Sequence, residues 1–265
     1  MHRFYVPPEI SREESFVLPE SEAHHATQVL RLRTGEEAEV LDGKGSRIRV
    51  RVEQVERRGL RVEVREVERQ IFPAATSRCV LVISLLKGKA FELAIEKVTE
   101  LGVDEIIAIP TERSVSIIRP DEAARKVQTW QSTAIAAAKQ CGRVWIPEIR
   151  YEPRWRIAPP GFSSTELSLV ASLQKPVMTI RQAILASHDS IGRFPKGIAC
   201  WIGPEGDWTP EELEVVQAGG ARSVTLGPCV LRAETAAIAS VAVILDISRD
   251  LTPTQPYTCQ THSHP

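Results

Sequence analysis

The residues most able to do chemistry stand in two loops of the C-terminal half, Gly203-Pro204-Glu205-Gly206 and Gly227-Pro228-Cys229-Val230-Leu231-Arg232. Each loop follows a predicted strand, an apolar one at residues 198–202 and a short one at residues 222–226. In open α/β sheets, ligands bind outside the carboxyl ends of the strands. We therefore predict a small-molecule site between the loops, at neighbouring strand ends. A tight connection is the alternative for the first loop, which lacks the glycine spacing of a phosphate-binding loop.

Four charged residues near these loops are candidates for catalysis or binding. Glu205 and Glu234 could act as general bases, although Glu234 stands near a helix start, where a carboxylate that complements the helix dipole is the favoured interpretation. Arg232 precedes that helix, and Arg113 follows another predicted strand. Folding needs no guanidinium at either place, so both arginines are candidates for a functional cation.

The elements that must position these loops form an α/β domain. Residues 79–86 are continuously apolar, as in a strand buried on both faces of a parallel sheet. Strands and helices alternate from there to residue 248, which predicts a mainly parallel sheet covered by helices. A capping signature, Thr209-Pro210-Glu211-Glu212, starts a helix directly after the first loop. We also predict a helix at residues 177–187 and a strand at residues 145–149.

The N-terminal part of the chain has a different pattern. A helix is predicted at residues 21–33, and residues 46–52 and 60–65 alternate charged with apolar side chains, which is typical of half-buried strands. The arginines of the first strand share one face; a solvated face is favoured over a nucleic-acid surface, because glutamates are interleaved. We predict a barrel-like β module at 1–72, a linker near 70–78, the α/β domain at 73–250 and a flexible tail at 251–265.

Composition excludes several classes of protein. The 265 residues have a net charge of −1, which argues against a uniformly basic nucleic-acid coat, and there is no apolar run long enough to cross a bilayer. Five scattered cysteines fit neither a disulfide framework nor a zinc site, and His24-His25 lacks further ligands, so no metal is expected. We expect a soluble protein of the reducing cytoplasm.

The loops also carry a family resemblance. Ile202-Gly203-Pro204-Glu205-Gly206 and Leu226-Gly227-Pro228 to Ala236, together with Leu86-Lys87-Gly88-Lys89, Glu112-Arg113-Ser114 and Gln140-Cys141-Gly142-Arg143, resemble the SPOUT superfamily of knotted methyltransferases. Within it, the sequence resembles the RsmE-type 16S ribosomal RNA uracil-N3 methyltransferases over nearly its whole length. Where the family usually has glutamate, glycine, arginine and threonine, this sequence has Lys139, Asp207, Cys229 and Ala233, respectively, which bears on substrate contacts.

This resemblance implies a fold, a cofactor and a set of site residues. The fold would be a PUA-like barrel followed by an α/β domain with a trefoil knot, which chain physics alone never predicts. S-adenosylmethionine would bind in a homodimer through Ser172, Leu173, Ile202, Gly203, Pro204, Glu205, Gly206, Leu226, Gly227 and Leu231. RNA would be bound by Arg3, Arg31, Lys87, Lys89, Arg113 and Arg143, with Arg232 and Glu234 as the catalytic residues.

The implied activity is methylation of N3 of a specific uridine near the 3′ end, the decoding region, of 16S ribosomal RNA. Two alternatives stay open. One is a knotted methyltransferase acting on another RNA position, such as a ribose 2′-hydroxyl. The other is a non-catalytic RNA-binding or ribosome-assembly protein.

Overall fold

The computed structural model describes residues 1–56, 59–69, 77–114, 116, 118–159, 165–174 and 178–251. Its two sheets have separate hydrophobic cores, one in the N-terminal module and one on each face of the C-terminal sheet. The predicted α/β class with a preceding β module is confirmed. The predicted boundary at residue 72 and most of the linker lie outside the described residues, as does the tail after Leu251. The domain limits therefore stay a prediction.

The N-terminal sheet has five strands in the spatial order β1-β3-β4-β5-β2, with β1 parallel to β3 and the other neighbours antiparallel. Their bounds are β1 Arg3–Tyr5, β2 Ser15–Val17, β3 Glu37–Leu41, β4 Ser46–Glu56 and β5 Gly59–Arg69. Ile48 and Val50 are buried, whereas Arg49 and Arg51 are exposed and pair with carboxylates of neighbouring strands at 3.2 and 3.6 Å. These two arginines thus lie on a solvated face.

The helix predicted at residues 21–33 is shorter in the structure. Helix α1 (Glu20–His24) passes into one π-helical turn, His25–Val29, and the chain leaves the helical conformation at Arg31, whose φ is +57°. The prediction was wrong beyond Val29, because the wider turn breaks the 3.6-residue repeat on which it depended. Val29, the last residue of the π-helical turn, is 63% exposed.

The C-terminal sheet has seven strands in the order β10-β12-β9-β11-β6-β7-β8, and all neighbours are parallel. In chain order the elements are β6 Arg78–Ser84, α2 Ala90–Leu101, β7 Glu105–Ile109, α3 Ala123–Cys141, β8 Glu148–Tyr151, β9 Leu167–Ala171, β10 Met178–Thr179, α4 Ile180–Ile191, β11 Gly197–Ile202, α5 Pro210–Ala218, β12 Arg222–Thr225 and α6 Ala233–Leu251. Alternate residues of β6 enter different cores, Leu81 on one face and Val82 on the other. This explains its continuous apolar run.

Two local signals set the helices around the site. Helix α5 has the expected capping box, in which Thr209 and Glu212 bond each other's backbone N–H groups. Helix α4 has a second capping box, Thr179 with Gln182, so it begins at Ile180 and not at the predicted residue 177, which lies outside the described residues. Strand β8 lies about three residues later than predicted. Trp145, inside the predicted strand, instead forms a bridge with Lys44 of the N-terminal module.

The two domains are joined by several hydrogen bonds. Gly45 N–H donates to the Val144 carbonyl at 3.0 Å, and the Arg47 guanidinium donates to the Gly142 carbonyl at 2.9 Å. An ion pair, Lys139 Nζ to Glu22 Oε1 at 2.7 Å, adds a charged contact between α3 and α1. These contacts set the orientation of the module relative to the sheet.

No helix in the described part of the chain is both long and apolar enough to cross a bilayer. The trefoil knot depends on how the chain threads, which strand order does not test, and it stays a prediction.

Candidate functional site

Three loops meet at the carboxyl ends of strands of the C-terminal sheet. The 203 loop (residues 203–207) follows β11 and the 227 loop (residues 227–231) follows β12, as predicted. The two strands are not neighbours, however, because β9 lies between them and pairs with both. This corrects the expectation of adjacent strand ends. The 172 loop (residues 172–174), which follows β9, completes the site between the other two.

A pocket opens among these loops. Nine of the ten predicted cofactor-binding residues line it: Ser172, Leu173, Ile202, Gly203, Pro204, Glu205, Leu226, Gly227 and Leu231. The tenth, Gly206, is not part of the lining. Sequence reasoning missed eight further lining residues: Ala171, Val224, Thr225, Asp207, Cys229, Val230, Ala233 and Ala236. All eight lie within six residues of a predicted one in the sequence, and this closeness is the signal that could have identified them. The binding roles themselves stay predictions.

The base of the 203 loop rests on a tryptophan. A Cβ atom placed on Gly203 would lie 3.1 Å from the Trp208 ring, which is tighter than ordinary contact, so glycine permits this approach. Trp208 is 1% exposed, and its indole N–H donates to the Ala171 carbonyl at 2.9 Å. Its ring also contacts Trp155, with the centroids 6.0 Å apart. The buried indole thus links the 203 loop to the end of β9.

Arg113 holds the 203 loop from outside. Its Nη1 donates to the carbonyls of Gly206, at 2.7 Å, and Trp208, at 3.3 Å. A Cβ atom on Gly206 would lie 3.2 Å from the Arg113 side chain, so the two residues are in close contact. Glu205 is exposed, and its carboxylate accepts a long hydrogen bond, 3.4 Å, from the Lys87 backbone N–H. These contacts explain why Arg113 follows a strand end: its guanidinium binds loop carbonyls.

The 227 loop is shaped by its own residues. Gly227 has a φ of +129°, a conformation that only glycine adopts readily. The Thr225 hydroxyl bonds the N–H and the carbonyl of Gly227, each at 3.1 Å. Val230 is 73% exposed, and Leu173 of the 172 loop is 58% exposed, so apolar side chains stand at the rim of the pocket.

Arg232 and Glu234 lie beside the pocket without lining it. Arg232 is exposed between two lining residues, Leu231 and Ala233, and its carbonyl accepts the Ala236 N–H of α6 at 2.8 Å. Glu234 is half-buried in the first turn of α6. Among the described residues, neither side chain forms a hydrogen bond or an ion pair. The Arg232 guanidinium is therefore available to a ligand, and Glu234 occupies the dipole-matched position that its sequence context favoured.

The six predicted RNA-binding residues fall into two groups. Arg31, Lys87 and Lys89 are exposed. Arg3, Arg113 and Arg143 bind the chain itself. Arg3 donates to the carbonyls of Lys139 and Gln140 at the end of α3, with its side chain 25% exposed. RNA binding by all six stays a prediction. In the structure, Arg3, Arg113 and Arg143 donate hydrogen bonds to backbone carbonyls of the same chain.

Arg143 is the most enclosed of these cations. It binds the Val103 carbonyl at 2.6 Å and the Asp104 carboxylate at 3.2 Å, and its side chain is 16% exposed. Burial raises the pKa of Asp104, the largest effect on that group, while the backbone N–H of Cys79 and then Arg143 lower it. Arg143 therefore joins the end of α3 to the start of β7.

Among the described residues, no group of three histidine, cysteine, aspartate or glutamate side chains could hold a metal ion. His24 is exposed, and the His25 ring lies edge-on to Phe4 at 6.3 Å.

Comparison with known proteins gives two family matches. Residues 73–245 match the model of the RNA methyltransferase domain, and residues 18–65 match the model of the RNA methyltransferase PUA domain. The chain is 32% identical over 236 residues to the ribosomal RNA small subunit methyltransferase E of Mycobacterium bovis, covering 86% of this chain and 85% of that protein. It is 29% identical to the same-named protein of Synechocystis, covering 92% and 77%.

Solved structures agree. A putative methyltransferase of Legionella pneumophila, determined in complex with S-adenosylmethionine, superposes with a TM-score of 0.80 at 28% identity, covering 92% of this chain and 97% of that one. The ribosomal RNA small subunit methyltransferase E of Neisseria gonorrhoeae, also bound to S-adenosylmethionine, gives 0.75 at 27% identity, covering 93% and 98%.

Proposed function

Because this chain belongs to the RNA methyltransferase family, of the RsmE type, we propose that it methylates N3 of one uridine near the 3′ end of 16S ribosomal RNA, using S-adenosylmethionine. The observation that carries the proposal is the three-loop pocket with Arg232 at its side, whose guanidinium has no partner among the described residues. The names of the relatives support the small-subunit substrate. The position N3 rests on the family resemblance and on the chemistry below.

The pocket suits S-adenosylmethionine. Apolar side chains of Leu173, Ile202 and Leu231 provide surfaces for an adenine ring, and the backbone of Gly203 and Gly227 provides hydrogen-bonding groups without side chains in the way. At Gly203 the loop packs closely on the Trp208 ring, so a larger residue at this position would contact that ring and displace the loop. The residues present therefore fit the cofactor, and the three loops are the ones that would hold it.

When bound, S-adenosylmethionine supplies an electrophilic methyl group. The residues of this chain must then make N3 of uracil nucleophilic, because an imide nitrogen carries a proton and its lone pair is delocalised. A cation near the base stabilises the anion formed on deprotonation and lowers the barrier by favouring charge that develops in the transition state. Arg232 is exposed and unpaired among the described residues, so we assign it this role.

The proton from N3 needs an acceptor. Glu234 lies two residues after Arg232 on the first turn of α6, and it has no partner among the described residues. A carboxylate or a water held by it can take the proton as a general base. In-line placement of N3 on the methyl group supplies the rest of the rate enhancement.

RNA must be bound so that one base leaves its stack. Arg31 on the N-terminal module and Lys87 and Lys89 before α2 are exposed cations that can contact phosphates. Contacts to the backbone position the RNA, and unstacking delivers the base to the pocket. The protein would work in the cytoplasm, and as a homodimer; a second subunit would cover the exposed Leu173 and Val230 at the pocket rim.

The test is to incubate the protein with labelled S-adenosylmethionine and small ribosomal subunits that lack the modification, then to map the labelled nucleoside. N3-methyluridine supports the proposal. Label on a ribose would instead support the 2′-hydroxyl activity, and no label would support a non-catalytic RNA-binding protein. Arg232→Ala should reduce turnover by about 10²-fold or more, since one transition-state contact is typically worth that much, while Arg232→Lys keeps the charge without the planar guanidinium and should retain part of the activity. Normal turnover by Arg232→Ala would contradict the assigned role.

A further inference from the structure

Asp207 joins two loops of the pocket. Its Oδ2 accepts a hydrogen bond of 3.2 Å from the backbone N–H of Leu173, so the 203 loop contacts the 172 loop through this side chain. Both residues line the pocket. The strands β9 and β11 are paired only as far as Ala171 and Ile202, so beyond that point the ladder no longer holds the loops together. Next to the two loops, the Trp208 indole N–H donates to the Ala171 carbonyl at 2.9 Å.

The backbone at Asp207 is unusual for a residue with a side chain. Its φ is +59°, in the left-handed region, and only one other described non-glycine residue, Arg31, has a positive φ. Glycine adopts this conformation without strain, and aspartate tolerates it better than most residues. The backbone N–H of Asp207 closes a turn onto the Pro204 carbonyl at 3.0 Å, which needs no side chain. The turn alone therefore does not explain an aspartate here, whereas the hydrogen bond to Leu173 does.

We propose that Asp207 is a positioning residue that holds the 172 loop against the 203 loop and thereby sets the affinity for S-adenosylmethionine. This proposal rests on the assignment of the three-loop pocket to the cofactor. Asp207 acts through the backbone of Leu173, whose side chain is at the pocket rim, and takes no part in the methyl transfer itself. Losing the bond should let the 172 loop move away from the cofactor while leaving the RNA-binding surface intact.

Two variants separate the hydrogen bond from charge and strain. Asp207→Gly removes the acceptor and also relieves the left-handed backbone, so any loss of affinity is not a consequence of strain. Asp207→Asn is the matched control: it keeps an oxygen acceptor and the tolerance for positive φ but removes the charge. We expect Asp207→Gly to weaken S-adenosylmethionine binding about fivefold, the usual worth of one such hydrogen bond, and Asp207→Asn to bind nearly as the parent protein does.

The measurement is direct titration of each full-length variant with S-adenosylmethionine, by calorimetry or by the fluorescence of the tryptophans beneath the 203 loop, followed by steady-state kinetics. The KM for S-adenosylmethionine should rise with the Kd in Asp207→Gly, while kcat and the KM for RNA stay unchanged. Unchanged Kd in Asp207→Gly would overturn the proposal. So would equal weakening in Asp207→Asn, which would assign the effect to the charge.

A further variant tests the pocket itself. Val230→Trp adds bulk at an exposed position of the lining, so folding should tolerate it. If Val230→Trp leaves cofactor binding intact, the pocket assignment is wrong, and with it the proposal. If binding falls in Val230→Trp but not in Asp207→Gly, the pocket stands and only the role of Asp207 is wrong.

Discussion

Replacing Arg113 by alanine should weaken the binding of S-adenosylmethionine more than the binding of RNA. The guanidinium donates to the Gly206 carbonyl at 2.7 Å and to the Trp208 carbonyl at a weaker 3.3 Å. A hydrogen bond from a charged donor contributes about 1.5–3 kcal/mol, and Arg113 is exposed, so the lower end of about 1.5 kcal/mol applies. If the loop needs this contact to keep its binding conformation, the apparent Kd rises by up to about tenfold.

The assay must distinguish this internal role from a phosphate contact. We expect the salt dependence of RNA binding to be unchanged in Arg113→Ala, since losing one phosphate contact lowers the slope of log K against log salt by about 1. Lys89→Ala is the matched control, because this exposed cation has no partner among the described residues and should alter RNA binding without altering cofactor affinity. An unchanged cofactor Kd with a reduced salt slope in Arg113→Ala would refute the reasoning.

Two further predictions concern stability. Lys139→Glu should lower the free energy of unfolding by about 2 kcal/mol, because the Glu22 carboxylate, 11% exposed, would face a second carboxylate in place of the lysine. Urea titration measures this change. Exchanging the two charges, with lysine at position 22 as well, should recover part of the loss. The hydrogen bond from Arg193 lowers the pKa of Glu166 from 4.5 to about 2. Acidification should therefore weaken this contact. Because the folded-state pKa is the lower one, this contribution is complete above pH 4.5 and is lost as the pH falls towards 2; Glu166→Gln should lack this part of the pH dependence of the melting temperature.

The elements with a purely local signature could be predicted from the sequence. Strand β6 was evident because a strand buried on both faces needs apolar residues at every position, and its residues do enter two cores. Helix α5 was evident because the Thr209–Glu212 capping box satisfies backbone groups within four residues. The 203 loop was found for the same reason, since its glycines and the helix after it lie in one short segment.

What the sequence could not predict depends on contacts between distant residues. Strand β9 separates β11 from β12 because of long-range pairing, and no local pattern encodes which strand lies between two others. The commitment of Arg3 to the end of α3 joins residues more than 130 positions apart. A surface cation and an internal one have the same sequence signal, so the sequence did not separate Arg3, Arg113 and Arg143 from the exposed RNA-binding candidates.

The four departures from the usual family residues form two groups: Lys139 and Asp207 are bonded within the chain, and Cys229 and Ala233 line the pocket. Lys139 replaces a glutamate of the family and pairs with Glu22, and Asp207 replaces a glycine and accepts a hydrogen bond from the Leu173 backbone N–H. Cys229 and Ala233 line the pocket, and nothing in the structure explains their identity. Lys139 is paired with an opposite charge within the chain, whereas Cys229 leaves the pocket lining without the arginine that the resembled family usually has at this position. Arg232, which directly follows the 227 loop, is the cation that we propose stabilises the uracil anion, so its substitution is the most informative single test of the chemistry.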